Sequence, residues 1–183
     1  MNRDALIADH EPRDAHALAR HYLKDLVYGA NDGIITTFAI VSGVVGAALE
    51  NRIVVILGLA NLLADGFSMG ASNFLSIRSD EAVRAAEGNH PSEPFPMRHG
   101  MVTFAAFVVA GSVPLLSYLF EFGDSQFVVS AVMTLLTLFV VGSARALVTD
   151  QNWLYEGFEM LAVGTVAAGV AYGVGFWIAG ITA

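Results

Sequence analysis

Asp32 and Asp65 each stand inside a long apolar run of this chain. At the centre of a bilayer a carboxylate costs at least ~2.5–3.5 kcal/mol on insertion scales, so it faces a bundle interior or a wet path. Asp25 precedes Asp32 by seven residues, which puts both on one helical face, with Asp25 at the membrane edge. Met69 follows Asp65 by one turn, and Asn61 and Asn73 extend the same broad face. Ser68, Ser72 and Ser76 line the adjacent strip. Carboxylate oxygens beside a thioether sulfur make a mixed hard and soft donor set. It suits a first-row divalent ion such as Fe2+ or Mn2+, while Mg2+ and Ca2+ gain little from sulfur. A carboxyl group in low-dielectric surroundings also takes up a proton more readily than in water. Metal and proton would then compete for the same oxygens, as exchange requires. Plainer readings exist for each residue alone: Met69 as a packing side chain, Asp65 as an interhelical hydrogen-bonding group.

The elements that must position these residues are membrane spans. Of 183 residues 55% are hydrophobic and 14% charged, with mean hydropathy +0.60; soluble domains are commonly about a quarter charged. Five apolar stretches approach or exceed the ~20 residues a helix needs to cross ~30 Å of hydrocarbon. They run over 26–49, 53–77, 101–120, 127–147 and 158–181. The expected fold is therefore an all-α membrane protein of five transmembrane helices, a single transmembrane domain over 1–183. Segment 78–100 reads as a short polar loop, since Gly88, Pro91 and Pro94 break a helix. Arg3, Arg13, Arg20, Lys24, Arg78, Arg84, Arg98 and Arg145 fall on one side of such a bundle, and Arg52 alone on the other. The positive-inside rule makes the N-terminus and the 78–100 loop cytoplasmic.

Residues 1–25 carry charge and histidine without an apolar h-region, so no cleavable signal peptide is expected and the first span directs insertion. Ala15, Leu18, Ala19, Tyr22, Leu23 and Leu26 recur at helical spacing, which predicts a short amphipathic helix leading into span one. His10, His16 and His21 could gather metal there, but none pair at i,i+4, and a polar face at the headgroups is the simpler reading. Glu159, near Arg145 and Glu156, lies deep enough in the last run to be a candidate for the cytoplasmic mouth; the alternative is a solvated ion pair. Gly29 with Gly33, Gly66 with Gly70 and Gly169 with Gly173 have the spacing that lets spans one, two and five pack closely. The absence of cysteine excludes disulfides and thiolate metal sites, and a net charge of -8 argues against nucleic acid.

The run Asp25–Gly43, with Tyr28-Gly29-Ala30-Asn31-Asp32-Gly33 within it, resembles the first span of the vacuolar iron transporter family. The resemblance continues in Ala64-Asp65-Gly66-Phe67-Ser68-Met69-Gly70 and through Asn73 to Ser76, then in Pro114-Leu115-Leu116 and Trp153–Gly164. It implies a five-helix protomer, a homodimer, and proton-coupled export of Fe2+ or Mn2+ from the cytosol along a path lined by spans one and two. In that resemblance Asp32 matches the transport aspartate, Asp25 its companion near the entrance, and Met69 the pathway methionine. Two departures stand out. Asn61 occupies the position of a family glutamate, for which Asp65 would compensate. The loop after span two is short, with only Glu81, Glu87 and Glu93 where the family carries a long glutamate-rich metal-binding insert.

Two other classes fit parts of the pattern. Paired intramembrane aspartates can share a proton in an aspartyl protease, although Asp32 lies shallower than Asp65 and a GxGD motif is absent. A scaffold without transport would use the polar stripe for helix association alone. The transporter reading expects no catalytic residues and no resident cofactor. Its partners are divalent metal ions, protons, the lipid bilayer and a second copy of the chain. Short loops suggest a prokaryotic cytoplasmic membrane.

Overall fold

The computed structural model describes residues 15–120, 123–149 and 151–182. His10 and the first fourteen residues of the amphipathic segment lie outside them, as does the side chain of His16. Helix α1 spans Ala15–Gly46, α2 spans Asn51–Ala86, α3 spans Pro96–Gly111 and α4 spans Leu116–Leu119. Helices α5 and α6 follow at Gln126–Thr149 and Trp153–Thr182. Among the described residues, five helical segments are long and apolar enough to cross a membrane, with α3 and α4 together forming the third. In hydrocarbon every backbone N–H and C=O must be satisfied within the segment, so helix persists even through glycines that would weaken it in water.

The amphipathic segment from Ala15 and the first span are one helix, because no proline or turn-forming pair divides them. At 32 and 36 residues, α1 and α2 reach roughly 48 and 54 Å, well beyond the ~30 Å hydrocarbon core. Both overhang at the same end of the bundle. Helix α2 runs past the expected boundary at Ile77 because Asp80 to Ala86 are mostly good helix formers. It stops where Gly88 takes a φ of +77°, and α3 restarts with proline in its first turn. The segment expected as a loop over 78–100 is thus non-helical only over 87–95.

Pro114 breaks the third span into α3, a 3-10 turn at Val113–Leu115 and α4, since it lacks an N–H and its ring crowds the preceding turn. The buried Ser130 hydroxyl on α5 donates to the Pro114 carbonyl at 2.7 Å and satisfies part of the disturbed backbone. Asn152 caps α6, its side-chain oxygen accepting the Leu154 N–H at 3.0 Å.

Helix α1 is the axis of the bundle. Of its most apolar stretch 56% is buried within the chain, against 6% for α6, which leaves α6 on the perimeter. Ile34, Val41 and Thr37 of α1 are fully buried. Glycines make the close approaches. A Cβ at Gly29 would strike the Thr103 carbonyl and one at Gly33 the Phe107 carbonyl, both on α3. A Cβ at Gly70 would lie 2.6 Å from the Gly100 carbonyl oxygen, and one at Gly100 would lie 2.5 Å from that of Gly70. Span five differs from expectation: Gly169 and Gly173 meet nothing within 4 Å, because that face of α6 points away from the chain. Helix α6 docks instead through Gly157 on Ser143 and Phe139, Gly164 on Leu138, and Gly175 on Gly43.

These contacts predict opposite outcomes for the same substitution. Gly70→Ala overpacks the α2–α3 contact and costs roughly 1–3 kcal/mol, whereas Gly169→Ala leaves stability unchanged. Thermal unfolding of the two variants in detergent measures the contrast, and equal midpoints would contradict the α2–α3 approach.

Candidate functional site

Polar side chains collect in two places along the α1–α2 crossing. The first is inside the spans. Asp32 on α1 and Asp65 on α2 are both half-buried and close enough to interact electrostatically. Between them and Asn61 lies Thr36, whose hydroxyl donates to the Asp32 carbonyl at 2.8 Å and accepts the Asn61 amide at 3.4 Å. Met69 is half-buried one turn from Asp65 and packs against the apolar cluster that holds Phe38 and Phe107. Asp32, Asp65 and Asn61 therefore share one patch, which the chain itself leaves partly uncovered.

The second place is at the end where α1 and α2 overhang. Asp25 is only 5% exposed, and a buried carboxylate is costly unless its oxygens are paired. Both are. Oδ1 accepts the Asn73 amide of α2 at 2.7 Å, and Oδ2 meets Nδ1 of His99 on α3 at 2.5 Å. The Asn73 amide also donates to the Thr103 hydroxyl at 2.7 Å, and that hydroxyl donates to the His99 carbonyl at 3.0 Å. One carboxylate thus ties three spans together. Asn73, read from the sequence as an extension of the Asp65 face, belongs to this network.

Outward from Asp25 the polar chain continues. His99 Nε2 lies 3.1 Å from Glu93 Oε2, and His21 Nε2 lies 3.3 Å from the same oxygen. The Tyr22 ring sits 4.7 Å from each imidazole, centroid to centroid. Glu93 is held in place by Glu81, whose carboxylate accepts the Glu93 N–H at 2.9 Å and the Ser92 N–H and hydroxyl at 3.1 Å. Sequence reasoning missed His99 and assigned Glu93 only to a loop, since Asp25 and His99 are 74 positions apart. One signal was available: an ionisable residue opening an apolar span carries a functional reading by itself.

Glu159, expected to be buried, is exposed, and Glu156 takes the buried position one turn before Met160. Arg145 joins both, its Nε 3.1 Å from Glu156 and its Nη1 3.5 Å from Glu159. This ion pair links α5 to α6 rather than reaching the α1–α2 crossing.

The network around Asp25 sets a stability order. Asn73→Ala leaves a buried carboxylate oxygen without its donor and costs roughly 1–3 kcal/mol, while Asn61→Ala loses only a long contact and stays near wild type. Chemical denaturation in detergent reads the difference, and a larger loss for Asn61→Ala would reverse the argument.

Comparison with known proteins adds an independent line. A family model described as the VIT family matches residues 23–93 and 81–176. A protein named vacuolar iron transporter from Toxoplasma gondii is 28% identical over 93% of this chain and 78% of its own length. One of the same name from Plasmodium falciparum is 28% identical, covering 87% of this chain and 83% of its own. Vacuolar iron transporter 1 of Arabidopsis thaliana is 26% identical over 91% of this chain and 89% of its own.

Proposed function

The chain belongs to the VIT family, and from that membership we propose that it exports Fe2+ or Mn2+ from the cytosol in exchange for protons. Its relatives carry the names of transporters, and it is a multi-pass membrane transporter of metal ions, not an enzyme. The metal is cargo rather than a resident cofactor.

One observation carries the finer reading: Asp32 on α1 and Asp65 on α2 are near enough to interact electrostatically, in a half-buried patch the chain does not close. Charge left against lipid is expensive, so the patch calls for a cover. A second copy packed on the α1–α2 face would supply it and turn the patch into a path between protomers, which is the reason to read the protein as a homodimer. In that path the carboxylates of Asp32 and Asp65 bind the ion. The Met69 thioether favours a first-row metal over Mg2+ or Ca2+. When the ion leaves, a carboxyl group in these surroundings takes up a proton, and the cycle resets. Asn61, in place of a carboxylate, contributes an amide oxygen, with Asp65 one turn away providing the charge. The excess of Arg and Lys at the end holding the N-terminus and the 87–95 segment orients that end to the cytosol.

Reconstitution in liposomes tests this. Mn2+ or Fe2+ uptake should speed up when the lumen is acidic, and each pulse of metal should raise luminal pH. Asp32→Ala should reduce both signals to the level of empty vesicles. Wild-type protein that moves no metal from either orientation would leave a scaffold as the better reading. Flux that survives Asp32→Ala would displace the residue and spare the function.

A further inference from the structure

We propose that His21, Glu93 and His99 form a binding site for a first-row divalent cation, placed where α1 and α2 overhang the membrane. One carboxylate oxygen of Glu93 receives both imidazoles, at 3.1 Å from His99 Nε2 and 3.3 Å from His21 Nε2. One ligand atom from each of the three residues falls in a group within 4.8 Å. Separations near 3 Å are the edges of a coordination polyhedron around an ion with metal–ligand bonds of about 2.0–2.2 Å. Two histidines and one carboxylate, with positions left open, are the donor set of Zn2+ and Fe2+ centres, and they discriminate against Mg2+ and Ca2+.

Asp25 takes the Nδ1 side of the buried His99 ring and so directs Nε2 toward Glu93. A carboxylate–histidine pair of this kind is the outer-shell arrangement that orients a metal-binding imidazole and raises its basicity. The rest of the site is built to hold it. Tyr22 packs on both rings, Glu81 clamps the backbone of Ser92 and Glu93, and His99 is 5% exposed. His21 and Glu93 keep side-chain exposures of 23% and 32%, so an ion reaches the site from water.

The site lies just outside the transport patch. Asp25 joins its inner edge and stands two turns, ~10 Å along α1, from Asp32. Its role as the station that collects metal before Asp32 rests on the transport reading above; the binding itself does not.

Titration of Co2+ into the full chain in lipid nanodiscs, read by visible absorption and calorimetry, tests the site without any transport. We expect wild-type protein and Asp32→Ala to bind Co2+ with the absorption of an imidazole-ligated ion, in the presence of millimolar-range Mg2+. Glu93→Gln and His21→Ala, both at partly exposed positions, should each weaken it by at least the roughly 10–100-fold that loss of an outer-shell partner costs. Unchanged affinity in both variants, or wild-type binding that disappears entirely in Asp32→Ala, would overturn the proposal. Protein that bound Co2+ in the expected way yet moved no metal into liposomes would keep this site and remove the transport reading.

Discussion

The buried carboxylate of Asp25 is the contact on which the rest of the arrangement turns. Three helices donate to or meet it: α1 carries it, α2 brings Asn73 and α3 brings His99. A charge so placed is stable only with every partner present, so it fixes the relative depth and rotation of these spans. Sliding α2 by one residue would move Asn73 off Oδ1 and swing Asp65 away from Asp32 by about a hundred degrees of helix rotation. The same carboxylate holds Nδ1 of His99 and so sets where the other nitrogen of the ring points. Position within the membrane and chemistry at its edge therefore share one determinant.

Close packing between helices makes that determinant effective. Lipid tails are as apolar as leucine, so helices in a bilayer associate by van der Waals contact and interhelical hydrogen bonds rather than by exclusion of water. The bare backbones at Gly33 and Gly111, and at Gly70 and Gly100, let α3 approach α1 and α2 closely enough for short polar side chains to bridge them. Asn73, Thr103 and Asp25 are all short, and the close approach brings the Asn73 amide to 2.7 Å from each of the other two. The glycines and the polar network act as one device.

Much of this was legible in the chain. Five apolar runs, the isolation of Arg52 and the placement of Asp32 and Asp65 follow from composition along the sequence, because a bilayer imposes length and polarity on each span separately. The ends of the helices were less legible. Continuous helix from Ala15 and the extension of α2 to Ala86 depend on residues that are helix formers but polar, and a hydropathy reading stops where polarity begins. Burial within a span was legible only to the resolution of the helical period, which is how Glu159 stood in for Glu156.

What the sequence determined by itself is the solvent of each segment, and hence the number of spans and the unusual cost of the charges within them. Partners across the bundle were decided only by the tertiary structure. Asp25 and Asp32 share a helical face in the sequence, yet Asp25 bonds to Asn73 and His99 while Asp32 stays half-buried within electrostatic reach of Asp65. Their difference comes from the crossing of α1 with α3, which comes close at Gly29 and Gly33, and a contact between residues 74 positions apart leaves no trace in local spacing. Periodicity reports which face of a helix a residue occupies; only packing says what that face meets.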